Sequence, residues 1–156
     1  MNVLNFRYVD LTLNHGDKEV ICPRRQSSTA SGLDLVCASK SAITIAPGAW
    51  ALVPTGIAIE LEPGFEAQVR SRSGLAAKQG IMVLNSPGTI DADYRGEIKV
   101  ILMNLSTVPV DIEFGDRIAQ LVVCPVMLPI LREVVDLSST ERGTDGFGST
   151  GTRVCC

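Results

Sequence analysis

Short apolar runs separated by turn-forming residues follow one another along most of the chain. After a loosely alternating first segment, residues 3–9, nine such runs lie between residues 33 and 123. They cover residues 33–36, 42–45, 50–53, 57–61, 65–69, 81–84, 98–102, 108–112 and 118–123. Pro-Gly pairs at residues 47–48, 63–64 and 87–88 stand between them. Strands of this length and spacing are typical of an all-β sandwich or barrel-like fold.

Two segments depart from this pattern. Residues 71–80 begin with a serine suited to cap a helix, continue with helix-forming residues and end at Gly80, which predicts a single short helix. Residues 138–156 are rich in Gly, Ser and Thr and cannot form a core of their own. We therefore expect a β core domain, residues 1–137, and a flexible, glycine-rich C-terminal lid segment, residues 138–156.

The composition limits the class of protein. With 156 residues, 46% of them apolar and 4% aromatic, the chain suits one domain with a core of Val, Ile, Leu and Ala. The net charge of −3 and the lack of a lysine-rich block argue against a nucleic-acid binder. No apolar run has the length of a membrane span, no signal-peptide pattern opens the sequence, and the five cysteines lack zinc-site spacing. We expect a cytoplasmic protein that contacts neither membrane nor nucleic acid.

Residues 88–97 bring two carboxylates and an aromatic ring together between glycines. Asp91, Asp93 and Tyr94 lie within four residues, and an alternating apolar run follows them. This pattern predicts a hairpin whose tip presents a carboxylate and an exposed ring. A carboxylate can take a proton from water, and a ring can stack on a sugar or a base. For this segment alone, a tight turn with solvated acids is the simpler alternative.

Two further segments are suited to phosphate. Residues 72–74, Arg-Ser-Gly, open the predicted helix, where free N–H groups and an arginine favour an anion. Residues 142–151 hold four glycines, which let backbone N–H groups approach phosphate closely, together with Phe147, whose ring suits a flat ligand group. The alternatives are an ordinary helix cap and a disordered tail.

Two shorter segments contain one notable polar residue each. Residues 30–35 place Asp34 inside an apolar run, and residues 115–120 form a turn that leads to Gln120. Taken alone, these are equally well explained as a solvent-facing acid and an edge glutamine.

Together and in this order, the five segments resemble the motifs of the dUTPase family, in its homotrimeric all-β branch. The matching segments are residues 30–35, 72–76, 88–97, 115–120 and 142–151. The resemblance extends from about residue 20 to residue 151 and includes residues 53–57. It implies a distorted barrel or jelly-roll sandwich with one short helix and a mobile C-terminal tail.

The resemblance implies hydrolysis of dUTP to dUMP and pyrophosphate with Mg²⁺, which limits uracil in DNA and supplies dUMP for thymidylate synthesis. Asp91 is then the general base that activates the water attacking the α-phosphate, and Gln120 helps to orient that water. Asp34 corresponds to the acid that holds Mg²⁺ through water.

The resemblance also implies a set of substrate-binding residues. Asn85, with the backbone around Thr89, would read the uracil edge, while Tyr94 would stack on the deoxyribose and leave no room for a 2′-hydroxyl. Arg142 would meet the γ-phosphate, and Phe147 would cover the uracil. The full set is Arg72, Ser73, Gly74, Asn85, Thr89, Ile90, Asp91, Tyr94, Lys99, Gln120, Arg142, Phe147, Gly148 and Ser149.

In the family, each active site is shared between the subunits of a homotrimer. One chain supplies the predicted hairpin, a second the residues 72–76 and a third the lid. The chain departs from the family at Asp145, where glycine is usual, and at Ser71, where proline is frequent.

Two rival functions follow from the same fold. A deoxycytidine triphosphate deaminase would need a glutamate as proton shuttle and a longer chain. A non-enzymatic signalling module would be expected to have lost catalytic residues, yet Asp91, Tyr94 and Gln120 are present.

Overall fold

Eleven strands and two short helices form the part of the chain that the computed structural model describes, residues 3–10 and 12–146. The strands are β1 (Asn5–Tyr8), β2 (Leu33–Val36), β3 (Ile43–Ile45), β4 (Trp50–Pro54), β5 (Ile57–Glu60), β6 (Phe65–Arg70), β7 (Ile81–Val83), β8 (Gly88–Ile90), β9 (Lys99–Asn104), β10 (Val110–Ile112) and β11 (Arg117–Pro125). The helices are α1 (His15–Ile21) and α2 (Ser73–Gln79). The expected all-β jelly-roll class is confirmed, and these residues form no closed barrel.

The strands pair in four antiparallel sheets. The larger two have the strand orders β2-β11-β6-β8 and β4-β9-β7, and the smaller two are β1-β5 and β10-β3. In the four-stranded sheet, Gln120 of β11 lies opposite Asp34 of β2 and Arg70 of β6. Directly opposed side chains share one face of a sheet, so this face carries three polar groups side by side.

The core lies between the sheets and is built of aliphatic side chains, as the low aromatic content predicts. Strand β9 shows the alternation most clearly, because Val100 and Leu102 are fully buried while the residues between them are not. From the other large sheet, Ala119 and Leu121 of β11 enter the same core. The two sheets are therefore held together by interdigitating β-branched and leucine side chains.

The hairpin predicted at residues 88–97 is wrong. Strand β8 pairs with β6, whereas β9 pairs with β4 and β7, so the two strands belong to different sheets. Residues 91–98 therefore cross from one sheet to the other, and we call them the crossover turn. The sequence pattern predicted the strands and the turn correctly. Two short strands that are close in sequence need not pair with each other, however, when each can pair with a strand of a different sheet.

The prediction of a single helix is also wrong, because α1 precedes β2. Its start is marked by Asn14, whose side-chain oxygen accepts a hydrogen bond from the Asp17 N–H at 2.9 Å. In α2 the cap residue is Arg72 without a side-chain cap bond, so the expected serine cap is absent. The predicted stop at Gly80 is confirmed, since Gly80 adopts the left-handed conformation with φ 67°.

Asn104, at the end of β9, offers a test of the core. Its side chain is fully buried, Nδ2 donates to the carbonyls of Ile45 and Val108 at 2.8 Å each, and Oδ1 accepts from the Ser106 N–H at 2.8 Å. Asn104→Leu leaves these backbone groups without partners and is expected to lower the free energy of unfolding by about 3 kcal/mol in urea titrations. Asn5→Leu, on an exposed position, should change it by less than about 0.5 kcal/mol. A loss equally small for Asn104→Leu would contradict the structural role.

Within the described residues, neither helix is long and apolar enough to cross a bilayer.

Candidate active site

A cavity of about 490 Å³ opens where the crossover turn meets both large sheets. Its walls come from β4, β7 and β9 of one sheet, β6 and β8 of the other, and the crossover turn. We call it the turn cavity. Six residues predicted for the site line it: Asn85, Thr89, Ile90, Asp91, Tyr94 and Lys99. Its volume is in the range of small-molecule sites.

The crossover turn is fixed at its C-terminal end by the bend between β4 and β5. Thr55, itself buried, donates its hydroxyl to the carbonyl of Ile98 at 2.6 Å, and the Ile98 N–H donates to the carbonyl of Ile57 at 2.9 Å. The Gly56 N–H donates to Oε1 of Glu97 at 2.9 Å. Three hydrogen bonds across this short contact hold the turn, and with it the residues that face the cavity, in one position.

The ring of Tyr94 lines the turn cavity, and hydrogen bonds within the crossover turn fix the residue in position. Its hydroxyl donates to the carbonyl of Glu97 at 2.9 Å, and its N–H donates to the carbonyl of Asp91 at 3.1 Å. Tyr94 as a whole residue remains 44% exposed. A Cβ at position 96 would collide with the ring, so Gly96 is required for this arrangement. The exposed face of the ring is suited to stack on a sugar or a base.

Asp91 is the exposed carboxylate of the cavity wall. It follows β8 directly, and β8 begins at Gly88, which is buried against Val69 of β6. A Cβ at Gly88 would lie 3.2 Å from Nδ2 of Asn85, so a larger residue here would push the Asn85 amide aside by a few tenths of an ångström. The cavity thus combines a carboxylate, a side-chain amide and the backbone of a strand end.

Glu97 is a cavity residue to which the sequence analysis gave no role. Its side chain is 19% exposed. Oε1 accepts a hydrogen bond from the Gly56 N–H, and Oε2 forms an ion pair with Nζ of Lys99 at 3.6 Å. Glu97 therefore holds both Lys99 and, through its carbonyl, the Tyr94 ring. The signal in the sequence was its position at the end of residues 88–97, but only the fold reveals its partners at residues 55–57.

A second polar group lies on the four-stranded sheet. Arg72 Nε lies 3.1 Å from Asp34 Oδ1, and Arg117 Nη1 lies 3.2 Å from Asp34 Oδ2, while Arg72 Nη1 also donates to the carbonyl of Arg117 at 2.7 Å. We call Asp34, Arg72, Arg117 and Gln120 the arginine cluster. None of these four residues lines the turn cavity. With two guanidinium groups around one carboxylate, the cluster is suited to bind an anion.

The side-chain amide of Gln120 is held by one hydrogen bond and packs closely against Gly32. Its Nε2 donates to the carbonyl of Ser71 at 3.0 Å, and a Cβ at Gly32 would collide with its Oε1. The hydroxyl of Ser71 in turn accepts from the Val83 N–H at 2.9 Å. Ser71 therefore ties the start of residues 72–76 to β7.

The remaining predicted residues are only partly described. Ser73 and Gly74 are exposed in the first turn of α2. Arg142 is exposed, and its Nε donates to the carbonyl of Asp145 at 2.8 Å, so the structure does not bring Arg142 to the cavity or the cluster. Phe147, Gly148 and Ser149 lie outside the described residues.

The described residues contain no group of three or more His, Cys, Asp or Glu side chains that would hold a metal ion by themselves. Asp34 is a single carboxylate, 12% exposed, with an arginine at each oxygen. One carboxylate fits Mg²⁺ that keeps most of its water and is held chiefly by phosphate oxygens. It does not fit a metal that needs a complete protein cage.

The sequence profile of the dUTPase family matches residues 18–151. The chain belongs to the dUTPase family. A deoxyuridine 5'-triphosphate nucleotidohydrolase of Neorickettsia sennetsu is 56% identical over 142 residues, which are 91% of this chain and 95% of that protein. One of Hydrogenobaculum sp. is 56% identical over 136 residues, which are 87% and 94% of the two chains.

The dUTPase fold is also found in solved structures. The dUTPase of Staphylococcus bacteriophage 80alpha, solved with dUpNHpp, superposes with a TM-score of 0.83 at 26% identity, covering 97% of this chain and all of that one. Family membership confirms the resemblance found in the sequence and the expectation of a hydrolase.

Proposed function

We propose that this dUTPase-family chain hydrolyses dUTP to dUMP and pyrophosphate with Mg²⁺, and so limits uracil in DNA and supplies dUMP for thymidylate synthesis. The observation that carries the proposal is the turn cavity, where Asp91 and Tyr94 stand on one hydrogen-bonded turn. The names of its relatives, deoxyuridine 5'-triphosphate nucleotidohydrolases, support the same substrate.

In the proposed mechanism, Asp91 accepts a proton from a water molecule whose oxygen attacks the α-phosphorus. The new P–O bond forms as the bond to the bridging α–β oxygen breaks, and pyrophosphate leaves with the bonding electrons. Gln120 orients the water, since its amide is held in place by Ser71. Arg72 contacts the phosphates with residues 73–74. Asp34 would hold Mg²⁺ through a water molecule, and the ion would neutralise charge on the triphosphate.

Selection for deoxyuridine follows from the shape of the turn cavity. Asn85 and the backbone near Thr89 and Ile90 offer hydrogen bonds to the uracil edge, with Lys99 beside them. Tyr94 stacks on the deoxyribose, and because its hydroxyl and Gly96 fix the ring, it cannot move aside for a 2′-hydroxyl. The strand backbone around Thr89 and Ile90 is proposed to exclude the 5-methyl group of thymine by volume.

We also propose a homotrimer with shared active sites. In support, the turn cavity lacks the arginine cluster, which the same chain carries elsewhere. In addition, residues 126–137 extend without strand or helix, and Met127, Ile130, Leu131 and Val135 are almost fully exposed. Apolar segments of this kind are normally covered by another chain. A second copy would both complete the site and cover apolar surface.

Residues 138–156 are proposed to form the lid, with Arg142 on the γ-phosphate and Phe147 over the uracil. Removing residues 142–156 is expected to lower kcat/KM for dUTP by about 10²-fold or more, because closure no longer shields the site. The melting temperature should move by no more than about 2 °C, because Arg142 bonds only locally among the described residues. A large fall in the melting temperature would instead make this segment part of the folded core.

The test of the proposed function is pyrophosphate release from dUTP, dTTP, dCTP and UTP, each with Mg²⁺. Release from dUTP alone supports the substrate, the uracil contacts and exclusion of the 2′-hydroxyl together. Ammonia from dCTP would identify a deaminase. Binding of a deoxyuridine nucleotide without release would identify a non-enzymatic module.

A further inference from the structure

The carboxylate of Glu97 ties the crossover turn to the bend between β4 and β5. Its Oε1 accepts from the Gly56 N–H at 2.9 Å, and the side chain is largely buried. A side-chain tie further back in the turn, from Arg95 Nη2 to Glu60 Oε1, is 3.5 Å long and joins two exposed groups. Water and salt weaken such a surface pair, so the sheltered bond of Glu97 contributes more to the position of the turn.

Gly56, the partner of this carboxylate, is a fixed point of the fold. It has φ +71°, and a Cβ there would lie 2.7 Å from Cδ1 of Ile21 in α1 and 3.0 Å from Cβ of Ala38. Its carbonyl accepts from the Val9 N–H at 2.8 Å. Helix α1, the residue after β1 and the segment after β2 therefore all pack around this bend. The Gly56 N–H is thus a donor in a defined place.

The peptide unit between Glu97 and Ile98 links this fixed point to the Tyr94 ring. Its carbonyl accepts from the Tyr94 hydroxyl at 2.9 Å, and its N–H donates to the carbonyl of Ile57 at 2.9 Å. Gly56 and Ile57 are neighbours on the bend, so the side chain of Glu97 and the next N–H along bind adjacent groups. A shift of Glu97 would therefore move the acceptor of the Tyr94 hydroxyl, and the ring with it.

We propose that Glu97 is a positioning residue that sets the selectivity of the turn cavity for a deoxyribose over a ribose. The inference rests on the proposed function, in which the Tyr94 ring excludes a 2′-hydroxyl, and it adds the group that keeps the ring from moving aside. Exclusion by volume works only against a wall that does not yield.

The acceptor oxygen of Glu97 carries this role, and its negative charge does not. The Gly56 N–H needs an acceptor at the right distance, which a neutral amide oxygen also provides. The ionic partner of the carboxylate, Lys99, has a side chain that is 46% exposed and lies 3.6 Å away. An ion pair that open to water contributes little to holding either group.

Two substitutions of Glu97 separate reach from charge. Glu97→Gln keeps an oxygen within reach of Gly56 and removes the charge, whereas Glu97→Asp keeps the charge on a side chain one methylene shorter. The measured quantity is kcat/KM for dUTP divided by kcat/KM for UTP, each with Mg²⁺. We expect this ratio to stay within about twofold for Glu97→Gln and to fall about tenfold or more for Glu97→Asp, because a sheltered hydrogen bond is lost. Glu97→Met, which has no oxygen, should fall as far.

Asn104→Leu is the control for stability, because Asn104 lies at the far end of β9 from Lys99 and does not line the turn cavity. Both substrates meet the same folded fraction of a variant, so the ratio should stay within about twofold although the free energy of unfolding falls. A residue with a merely structural role would behave in the same way.

Tyr94→Phe tests whether Glu97 acts through the ring. It removes the hydrogen bond to the Glu97 carbonyl and should lower the ratio as well. Adding Glu97→Met to it should lower the ratio little further, because both changes release the same ring.

The proposal is overturned if Glu97→Asp and Glu97→Met keep the wild-type ratio, or if Glu97→Gln loses as much as Glu97→Asp. Losses of Tyr94→Phe and Glu97→Met that multiply in the double variant would also overturn it, and so would an equal loss in Asn104→Leu. A wild-type protein that hydrolyses UTP as well as dUTP would show that no such wall exists. A wild-type protein that releases no pyrophosphate from dUTP would instead refute the proposed function itself.

Discussion

Asp91→Asn is expected to lower kcat for dUTP by about 10²- to 10⁴-fold, the usual contribution of a general base. Asparagine has nearly the shape of aspartate and still forms hydrogen bonds, but it cannot accept the proton of the attacking water. The affinity should stay within a few-fold, because Asp91 is one of many groups that line the turn cavity. The measurement is steady-state pyrophosphate release, together with calorimetric binding of dUpNHpp.

Asp93→Asn is the matched control for this experiment. Asp93 is an exposed carboxylate two residues along the same crossover turn, and it is not among the residues that line the cavity. Its replacement should leave kcat within about twofold, since the surface charge change alone is small. Near-normal turnover of Asp91→Asn, or an equal loss in both variants, would show that another group takes the proton.

A mixture of two inactive variants is expected to regain activity. Arg72→Ala removes part of the arginine cluster and Asp91→Asn removes the base, so each variant alone should be nearly inactive. If a site takes its base from one chain and its arginine from a neighbour, random co-assembly in equal amounts leaves about a quarter of the sites intact. The measurement is dUTP hydrolysis after the two proteins are unfolded together and refolded.

The control mixture combines Asp91→Asn with Tyr94→Ala. Both residues line the same turn cavity of one chain, so every mixed site lacks at least one of them and no activity should return. If the mixture of Arg72→Ala and Asp91→Asn also stays inactive while each variant still assembles, the base and the arginine act from one chain and the shared site is wrong.

The sequence predicted the strands well because their signal is local. Apolar alternation and Pro-Gly turns gave most strand positions, and Gly80 marked the end of α2. The pairing of strands depends on residues far apart in the sequence, and for this reason the predicted hairpin was wrong. Nothing in residues 88–104 indicates that β8 pairs with β6, or that β9 pairs with β4 and β7. Helix α1 was missed because it is short and buries only Ile21, so it lacks an apolar periodicity.

The sequence motifs predicted the residues of the candidate site, but they did not show which of these residues lie together in space. The turn cavity gathers Asn85, Asp91 and Tyr94, which are close in sequence. The arginine cluster joins Asp34 to Arg117, 83 positions apart, through the pairing of β2 with β11. Glu97 gained its role only from its contact with Gly56, which depends on how two distant turns pack. Residue type suggests chemistry, while the partner of a charged group is set by topology.

The turn cavity spans two sheets, with Val69 on one wall and Val100 on another, and the crossover turn is attached to both. The width of the cavity is thus set by the thickness of the aliphatic layer beneath it. Buried side chains outside the cavity lining, such as Ile81 and Leu102, act as spacers for the distance between base, sugar and carboxylate. Substitutions that change the volume of this layer by a single methyl group should therefore lower turnover of the substrate while the chain still folds, because the tightly packed core passes the change on to the cavity walls.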